Sequence, residues 1–197
     1  MAYGGKFYQH CWEIIKQISS IDGSALGNPG KIGAGIIIRD HNGNFIHAIS
    51  SPLGTGTNNQ AEVQAAHIGL SWCIEQGYTK IHLEADSSIL IHWLTNNTTT
   101  PWNMFTYVQK LKDMCNLCEE ITFTHVFREA NYPADSLSKL SHTLTSLIHY
   151  QQLESLPSSI RGQILQDQNG TPSFRHKLTK KIQLPPHMSH FYSHVHD

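Results

Sequence analysis

The order of the predicted strands and helices most constrains what this chain can fold into. Strand-like segments come first, separated by the turn sequences Gly27–Gly30 and Asp40–Gly43, which are short enough for antiparallel connections. Further on, apolar residues recur every three or four positions, as on a helix, between two more strand-like segments. The predicted strands are residues 14–21, 34–39, 45–50, 80–85 and 121–127, and the predicted helices are residues 59–76, 87–94, 103–118 and 137–148. Because parallel neighbours need helical crossovers, we expect an α/β fold with a five-stranded mixed sheet, three antiparallel strands and then parallel strands, flanked by helices.

The chain has 197 residues, enough for one domain and an appendage. Beyond residue 150 the apolar pattern thins, while Pro and His residues accumulate. We therefore predict a poorly patterned N-terminal extension at residues 1–13, a domain at residues 14–150, and a tail at residues 151–197 with one short helix containing Ile160, Ile164 and Leu165.

Charge and apolar content exclude several classes of protein. Lys and Arg number 14 against 15 Asp and Glu, a formal net charge of -1, so the chain as a whole has no strong attraction to nucleic acid or to membranes. There is no apolar run of about 18 residues and no secretory signal pattern at the start. Four irregularly spaced Cys residues fit a reducing compartment. We expect an intracellular monomer in the cytoplasm or nucleus that is neither secreted nor membrane-bound.

Four carboxylates stand out because each ends a predicted strand or lies in the first turn of a helix: Asp22, Glu62, Asp86 and Asp135. Strand ends and helix starts converge in an α/β sheet, so these groups from distant parts of the chain could meet. Clustered carboxylates repel one another unless a cation lies among them, and ligand sets of oxygen atoms suit Mg²⁺ or Mn²⁺. For any single acid, a helix cap or a solvated surface position is the commoner role.

The residues around these acids change that balance. Each acid lies in a separate segment: DGSALGNPG from Asp22, TNNQAE ending at Glu62, EADS around Asp86, and NYPAD ending at Asp135. Together these segments resemble the motifs of type 1 ribonuclease H, in matching order over residues 14–149. The segment HVFREANYPAD, which ends at Asp135, is similar to plant ribonuclease H-like proteins related to the reverse transcriptases of retroelements. The resemblance implies a ribonuclease H-like fold.

The resemblance also implies an activity. It points to a metal-dependent endonuclease that hydrolyses the RNA strand of an RNA/DNA hybrid, its nucleic-acid partner. Asp22, Glu62, Asp86 and Asp135 would be the catalytic residues and would hold two Mg²⁺ (or Mn²⁺) ions, which activate the attacking water and stabilise the leaving oxygen.

Further residues would contact the hybrid by the same resemblance. The set consists of Gly23, Ser24, Asn28, Thr57, Asn58, Asn59 and Arg128. The 2′-hydroxyl distinguishes RNA from DNA, and Glu62 with the backbone after Asp22 would reach it. Asn28 and Thr57 would contact a DNA-strand phosphate. Alternatively, Asn58 or Asn59 only caps the helix, and Arg128 only forms a surface salt bridge.

Two departures from the family support a second hypothesis. Well-studied members have a longer loop with a His before the fourth acid, whereas here only residues 128–130 separate Phe127 from Asn131. A basic insertion is also missing, since Lys110 and Lys112 are the only basic residues in 87–118. The alternative is a catalytically weak or inactive nucleic-acid-binding domain derived from a retroelement.

Two other patterns have simpler interpretations. Cys115 and Cys118 have the spacing of a zinc or redox site, but no second Cys pair accompanies them, so they are predicted to be buried thiols. His125 lies in a predicted strand and is predicted to be a core histidine rather than a general base.

Overall fold

The computed structural model describes residues 17–96 and 100–168. The strands are β1 (Gln17–Gly27), β2 (Gly30–Arg39), β3 (Phe45–Gly56), β4 (Lys80–Ala85), β5 (Glu120–His125) and β6 (Ile148–Tyr150). The helices are α1 (Asn58–Glu75), α2 (Ser88–Thr95), α3 (Trp102–Cys115), α4 (Tyr132–Ser141) and α5 (Ser158–Gln168). The strands form one sheet in the order β5-β4-β1-β2-β3-β6.

The pairing confirms a mixed sheet. Strands β1, β2 and β3 are antiparallel neighbours, whereas β4 is parallel to both β1 and β5. The prediction of five strands was wrong, because β6 pairs antiparallel with β3 as a sixth strand. The predicted helix at residues 137–148 ends at Ser141, and Ile148–Tyr150 instead extend the sheet, where Tyr150 is 7% exposed.

Two apolar layers cover the two faces of the sheet. On one face, α1, α2 and α3 pack over residues such as Ile21, Ile36 and Leu83. On the other face, Ile160 and Ile164 of α5 join a buried cluster with side chains from β2, β3, β6 and α4. The boundary predicted at residue 150 therefore falls inside the packed unit. The predicted extension at residues 1–13 and the tail beyond residue 168 lie outside the described residues.

Strand β1 is polar at its start and longer than predicted. Gln17, Ser19 and Ser20 are buried, and the small Ser19 faces Gly69 of α1 at close range. The predicted strand 14–21 has its first three residues outside the described range, while β1 continues to Gly27, so Asp22 lies within the strand and not at its end. Pairing with β4 stops at Ile21, opposite Ala85, and among the described strands only β2 pairs with β1 beyond that point.

No helix among the described residues combines the length and apolarity that crossing a membrane would require.

Candidate active site

Three of the four predicted acids meet where β1 runs past the end of β4. Asp22 of β1, Glu62 of α1 and Asp86 after β4 each place one carboxylate oxygen within 4.8 Å of the others. Asp22 is 3% exposed and Glu62 is 5% exposed, whereas Asp86 is half-buried. We call these three residues the acid trio.

A glycine beside Asp22 allows this approach. A Cβ atom at Gly23 would lie 2.2 Å from the backbone nitrogen of Glu62, so any side chain there would push the first turns of α1 away from β1. The Gly23 amide donates a hydrogen bond to Glu62 Oε2 at 3.2 Å. The start of α1 is fixed by Thr57, whose hydroxyl accepts from the Gln60 amide while the Gln60 side chain accepts from the Thr57 amide. Local sequence therefore holds Glu62 against Asp22.

The acid trio lacks sufficient compensating positive charge. Burial raises the pKa of Asp22 to about 7, with the carboxylates of Asp86 and Asp135 adding to the rise, against opposing effects of the Ser138 hydroxyl and Arg128. Burial, followed by the charges of Asp22 and Asp86, also raises the pKa of Glu62 well above its ordinary value. Within the described residues, the buried Oδ1 atom of Asp86 has no hydrogen-bond partner. Such an arrangement favours a cation.

Asp135 has a different environment from the trio. It lies in α4, is 1% exposed, and accepts from Arg128 Nη2 at 2.7 Å. It also pairs with Lys139, one helical turn later. Two cations therefore compensate its charge. It is close enough to contribute to the raised pKa of Asp22, but it is not one of the three acids whose oxygens lie together.

The start of α4 is held on β1 and β2 by close contacts. The side chain of Asn131, buried beside α4, donates from Nδ2 to the carbonyl of Ile21 at 2.7 Å. A Cβ atom at Gly35 of β2 would lie 2.1 Å from the carbonyl oxygen of Ala134, so only glycine leaves room for the helix there. Ser138 of α4 donates its hydroxyl to Asp22 Oδ2.

The predicted substrate-contacting residues fall into two groups. Gly23 and Ser24 follow Asp22 on β1, and Arg128 reaches the site through Asp135. Asn28, Thr57, Asn58 and Asn59 lie instead at the turn between β1 and β2 and at the start of α1. There Asn28 Oδ1 accepts from the Asn58 amide at 3.1 Å. The alternative that Asn58 or Asn59 caps α1 was wrong, because Thr57 is the capping residue.

Several neighbours of the site were not predicted. Ser138 and Lys139 follow Asp135 by three and four residues, the helical spacing that places side chains on one face, so this signal was available in the sequence. The interpretation of His125 as a core residue was wrong: it is exposed, and its Nε2 lies 3.2 Å from the Asp86 carbonyl oxygen. No local pattern indicates that contact, because it joins the ends of two neighbouring parallel strands.

The two Cys residues with zinc or redox spacing are free thiols. Cys115 and Cys118 are half-buried, and burial raises the pKa of both, that of Cys115 to about 12. Among residues 17–96 and 100–168, only the acid trio brings three metal-ligating side chains together. Half-buried protonated thiols agree with the simpler interpretation of these residues.

Comparisons with known proteins agree with this geometry. The sequence matches the reverse transcriptase-like family over residues 20–141. A protein of Arabidopsis thaliana named as a ribonuclease H protein is 25% identical over 150 residues, which are 76% of this chain but only 24% of that protein. The crystal structure of RNase H1 from Halobacterium salinarum matches with a TM-score of 0.63 and 26% identity, covering 65% of this chain and 98% of that one. LC11-RNase H1, solved in complex with an RNA/DNA hybrid, matches with a TM-score of 0.60 and 28% identity over 64% of this chain and 96% of that one.

Proposed function

The chain belongs to the reverse transcriptase-like family and has a ribonuclease H-like domain, and from this premise we propose that it is a metal-dependent endonuclease that hydrolyses the RNA strand of RNA/DNA hybrids. The observation that supports this most directly is the acid trio, in which two nearly buried carboxylates and a half-buried one crowd together. A module that only binds nucleic acid gains nothing from clustered negative charge beside phosphates.

The residues present fit divalent cations. All candidate ligand atoms are carboxylate oxygens, which suit Mg²⁺ or Mn²⁺ better than zinc. Asp22, Glu62, Asp86 and Asp135 would hold two ions, and the resemblance to ribonuclease H makes Asp22 the best candidate for a ligand to both. When bound, the ions would supply an activated water and stabilise the leaving oxygen.

The protein's own groups prepare the site for that chemistry. Gly23 and Ser138 donate hydrogen bonds that fix the carboxylates of Glu62 and Asp22 in place. Arg128, with a side chain 52% exposed, can contact a phosphate while it remains paired with Asp135. Its position at the rim of the site suits an electrostatic contact to the departing strand.

Recognition of the hybrid would use both groups of predicted contacts. Glu62 and the backbone of Gly23 and Ser24 would read the 2′-hydroxyl, the only sugar group that separates RNA from DNA. The patch at the start of α1, formed by Asn28, Thr57, Asn58 and Asn59, would hold the DNA strand. Because residues 87–118 contain only two basic side chains, we expect weak binding that falls steeply with added salt.

The test is cleavage of labelled RNA/DNA hybrid, duplex DNA and duplex RNA in Mg²⁺, Mn²⁺ or EDTA. The test variant is Asp86→Asn, which keeps the shape of the side chain but removes its charge. The control is Asp113→Asn, on the exposed face of α3. Cleavage of the hybrid alone, dependent on metal and lost only in Asp86→Asn, is the expected result. Hybrid binding without cleavage by folded protein would instead assign the inactive nucleic-acid-binding alternative.

A further inference from the structure

His142 caps the C-terminal end of α4 and joins it to the β1–β2 hairpin. Its Nε2 lies 2.9 Å from Ser24 Oγ. Its backbone carbonyl accepts a hydrogen bond from the ammonium group of Lys31 on β2. These two contacts join residues more than 100 positions apart in the sequence. His142 therefore has a defined position beside the strand that carries Asp22.

The distance between successive contact residues along α4 matches the distance between their partners along β1. Ser138 and His142 are four residues apart on α4, about 6 Å along the axis. They contact Asp22 and Ser24, which are two residues apart on β1, about 7 Å, and whose side chains lie on the same face. Gly33, paired with Ser24 in the sheet, leaves room for this end of α4, since a Cβ atom there would lie 1.7 Å from Ser141 Oγ. The contact of His142 with Ser24 thus repeats, one turn later, the contact of Ser138 with Asp22.

The buried Nδ1 atom of His142 determines which group donates in the hydrogen bond between His142 and Ser24. His142 Nδ1 is shielded from solvent and has no partner among the described residues. A buried N–H without an acceptor is rarer than a buried acceptor without a donor, so the proton lies on Nε2. Nε2–H then donates to Ser24 Oγ, and the Ser24 hydroxyl keeps its own proton free for an outside acceptor. Burial, followed by the Lys31 charge, lowers the pKa of His142, in agreement with a neutral ring.

The surroundings of the Ser24 hydroxyl suit an anionic ligand. Beyond Ile21, β1 pairs with no described strand on the β4 side; Asp22 and Gly23 are buried there, and the side chain of Glu62 accepts from the Gly23 amide. Ser24 is half-buried, and the ammonium group of Lys31 adds positive charge beside it. A hydroxyl donor next to an ammonium group suits an anionic oxygen, and phosphate oxygens are strong acceptors.

We propose that His142 is a positioning residue that orients the Ser24 hydroxyl, with the ammonium group of Lys31 alongside, toward the RNA-strand phosphate next to the one that is cleaved. This proposal rests on the proposed function. It adds to that function a residue outside the four acids and a contact at one defined nucleotide step.

Binding to hybrids with a single neutral methylphosphonate in the RNA strand tests the proposal, one position at a time. The protein carries Asp86→Asn so that the hybrid stays intact, and fluorescence anisotropy measures the affinity. One methylphosphonate position next to the cleavage site should weaken binding about tenfold in the parent protein. Ser24→Ala and His142→Ala should each bind the unmodified hybrid about tenfold more weakly than the parent protein does. In these two variants, a methylphosphonate at the same position should reduce the affinity almost no further. His142→Gln, which retains a donor nitrogen at a similar reach, should restore most of the affinity.

The outcomes separate this proposal from the proposed function. If each methylphosphonate position reduces the hybrid affinity of the parent protein and of Ser24→Ala by the same factor, the phosphate contact is refuted. If instead a single 2′-deoxy substitution in the RNA strand weakens binding by the parent protein but not by Ser24→Ala, the Ser24 hydroxyl contacts the sugar and the phosphate assignment is wrong. If protein without the Asp86 substitution fails to cleave any hybrid, the proposed function fails, whatever the binding pattern. Ser24→Ala removes one oxygen atom only, so the result stands even where His142→Ala unfolds.

Discussion

In the absence of metal, the protein should lose stability as the pH rises, and Asp22→Asn should remove much of that loss. Burial raises the pKa of Asp22 from 3.8 to about 7. The native state therefore binds the Asp22 proton more tightly than the unfolded chain does. Stability from this group is complete below pH 3.8 and is lost as the pH rises through 7. An Asn side chain has the same shape, can still accept from Ser138, and never ionises.

The size of the effect follows from the shift. One pKa unit corresponds to about 1.4 kcal/mol, so the full shift of Asp22 is worth about 4 kcal/mol, of which about 3 kcal/mol falls between pH 5 and pH 8. For a domain of this size, about 3 kcal/mol corresponds to about 8 °C in Tm. The stability of Asp22→Asn relative to wild type should rise by that amount from pH 5 to pH 8.

The assay is thermal and urea unfolding in EDTA at both pH values, with Asp113→Asn as the control that keeps the wild-type pH dependence. The lowered pKa values of His47 and His142 contribute with opposite sign, but they are present in all variants and cancel in the difference. Equal pH dependence in wild type and Asp22→Asn would refute the reasoning. Mg²⁺ should also raise the wild-type Tm more at pH 8 than at pH 5, because it competes with protons for the same oxygens.

Further substitutions test the packing and the protonation of a buried histidine. Gly23→Ala should destabilise the protein by about 1–3 kcal/mol in urea unfolding, since its Cβ atom would lie 2.2 Å from the α1 backbone, whereas Gly162→Ala, which has open space on α5, should stabilise it slightly. Ile164→Ala should cost about 2–5 kcal/mol if α5 belongs to the domain, and a change below about 0.5 kcal/mol would place α5 outside it. Burial and the neighbouring His149 lower the pKa of His47 from 6.5 to about 4, so wild type should lose up to about 3 kcal/mol as the pH falls from 6.5 to 4. His47→Phe should keep the stacking on Trp72 but should not lose stability in this way as the pH falls. Thermal unfolding at pH 4.5 and pH 7 measures the difference. Equal losses of stability in the two proteins would show that His47 does not cause the loss.

The order of elements was predictable because it depends on local periodicity. Lys80–Ala85 alternates apolar and polar residues and is a strand over those residues, and Ser87 caps the helix predicted after it. Strand β6 was missed because three residues are too few to show a period. Its first residue, Ile148, was assigned to the end of a helix from its spacing with Leu144, whereas Ile148–Tyr150 pair with the edge of β3 as a strand.

The candidate site was predictable as a set of acids but not as a set of contacts. The four acids were identified from short motifs, each readable in a few residues. Contacts such as Ser138 with Asp22, or His142 with Ser24, join residues more than 100 positions apart and depend on how close α4 comes to the sheet. That distance is set by Gly33 and Gly35, whose importance appears only when β2 and α4 are placed together.

The four acids therefore divide into two electrostatic environments, and this division bears on how the site works. Asp135 is fully buried but compensated by Arg128 and Lys139, so its charge costs the metal-free protein little. The acid trio has no such pairing among the described residues, and the raised pKa values of Asp22 and Glu62 reflect the cost of keeping these charges together. A first cation at the trio would relieve that cost, whereas a second ion that used Asp135, as proposed, would compete with Arg128 for the same carboxylate. If the site binds two ions, we expect them to have unequal affinities. Arg128 would then both stabilise the metal-free site and weaken the binding of the second ion.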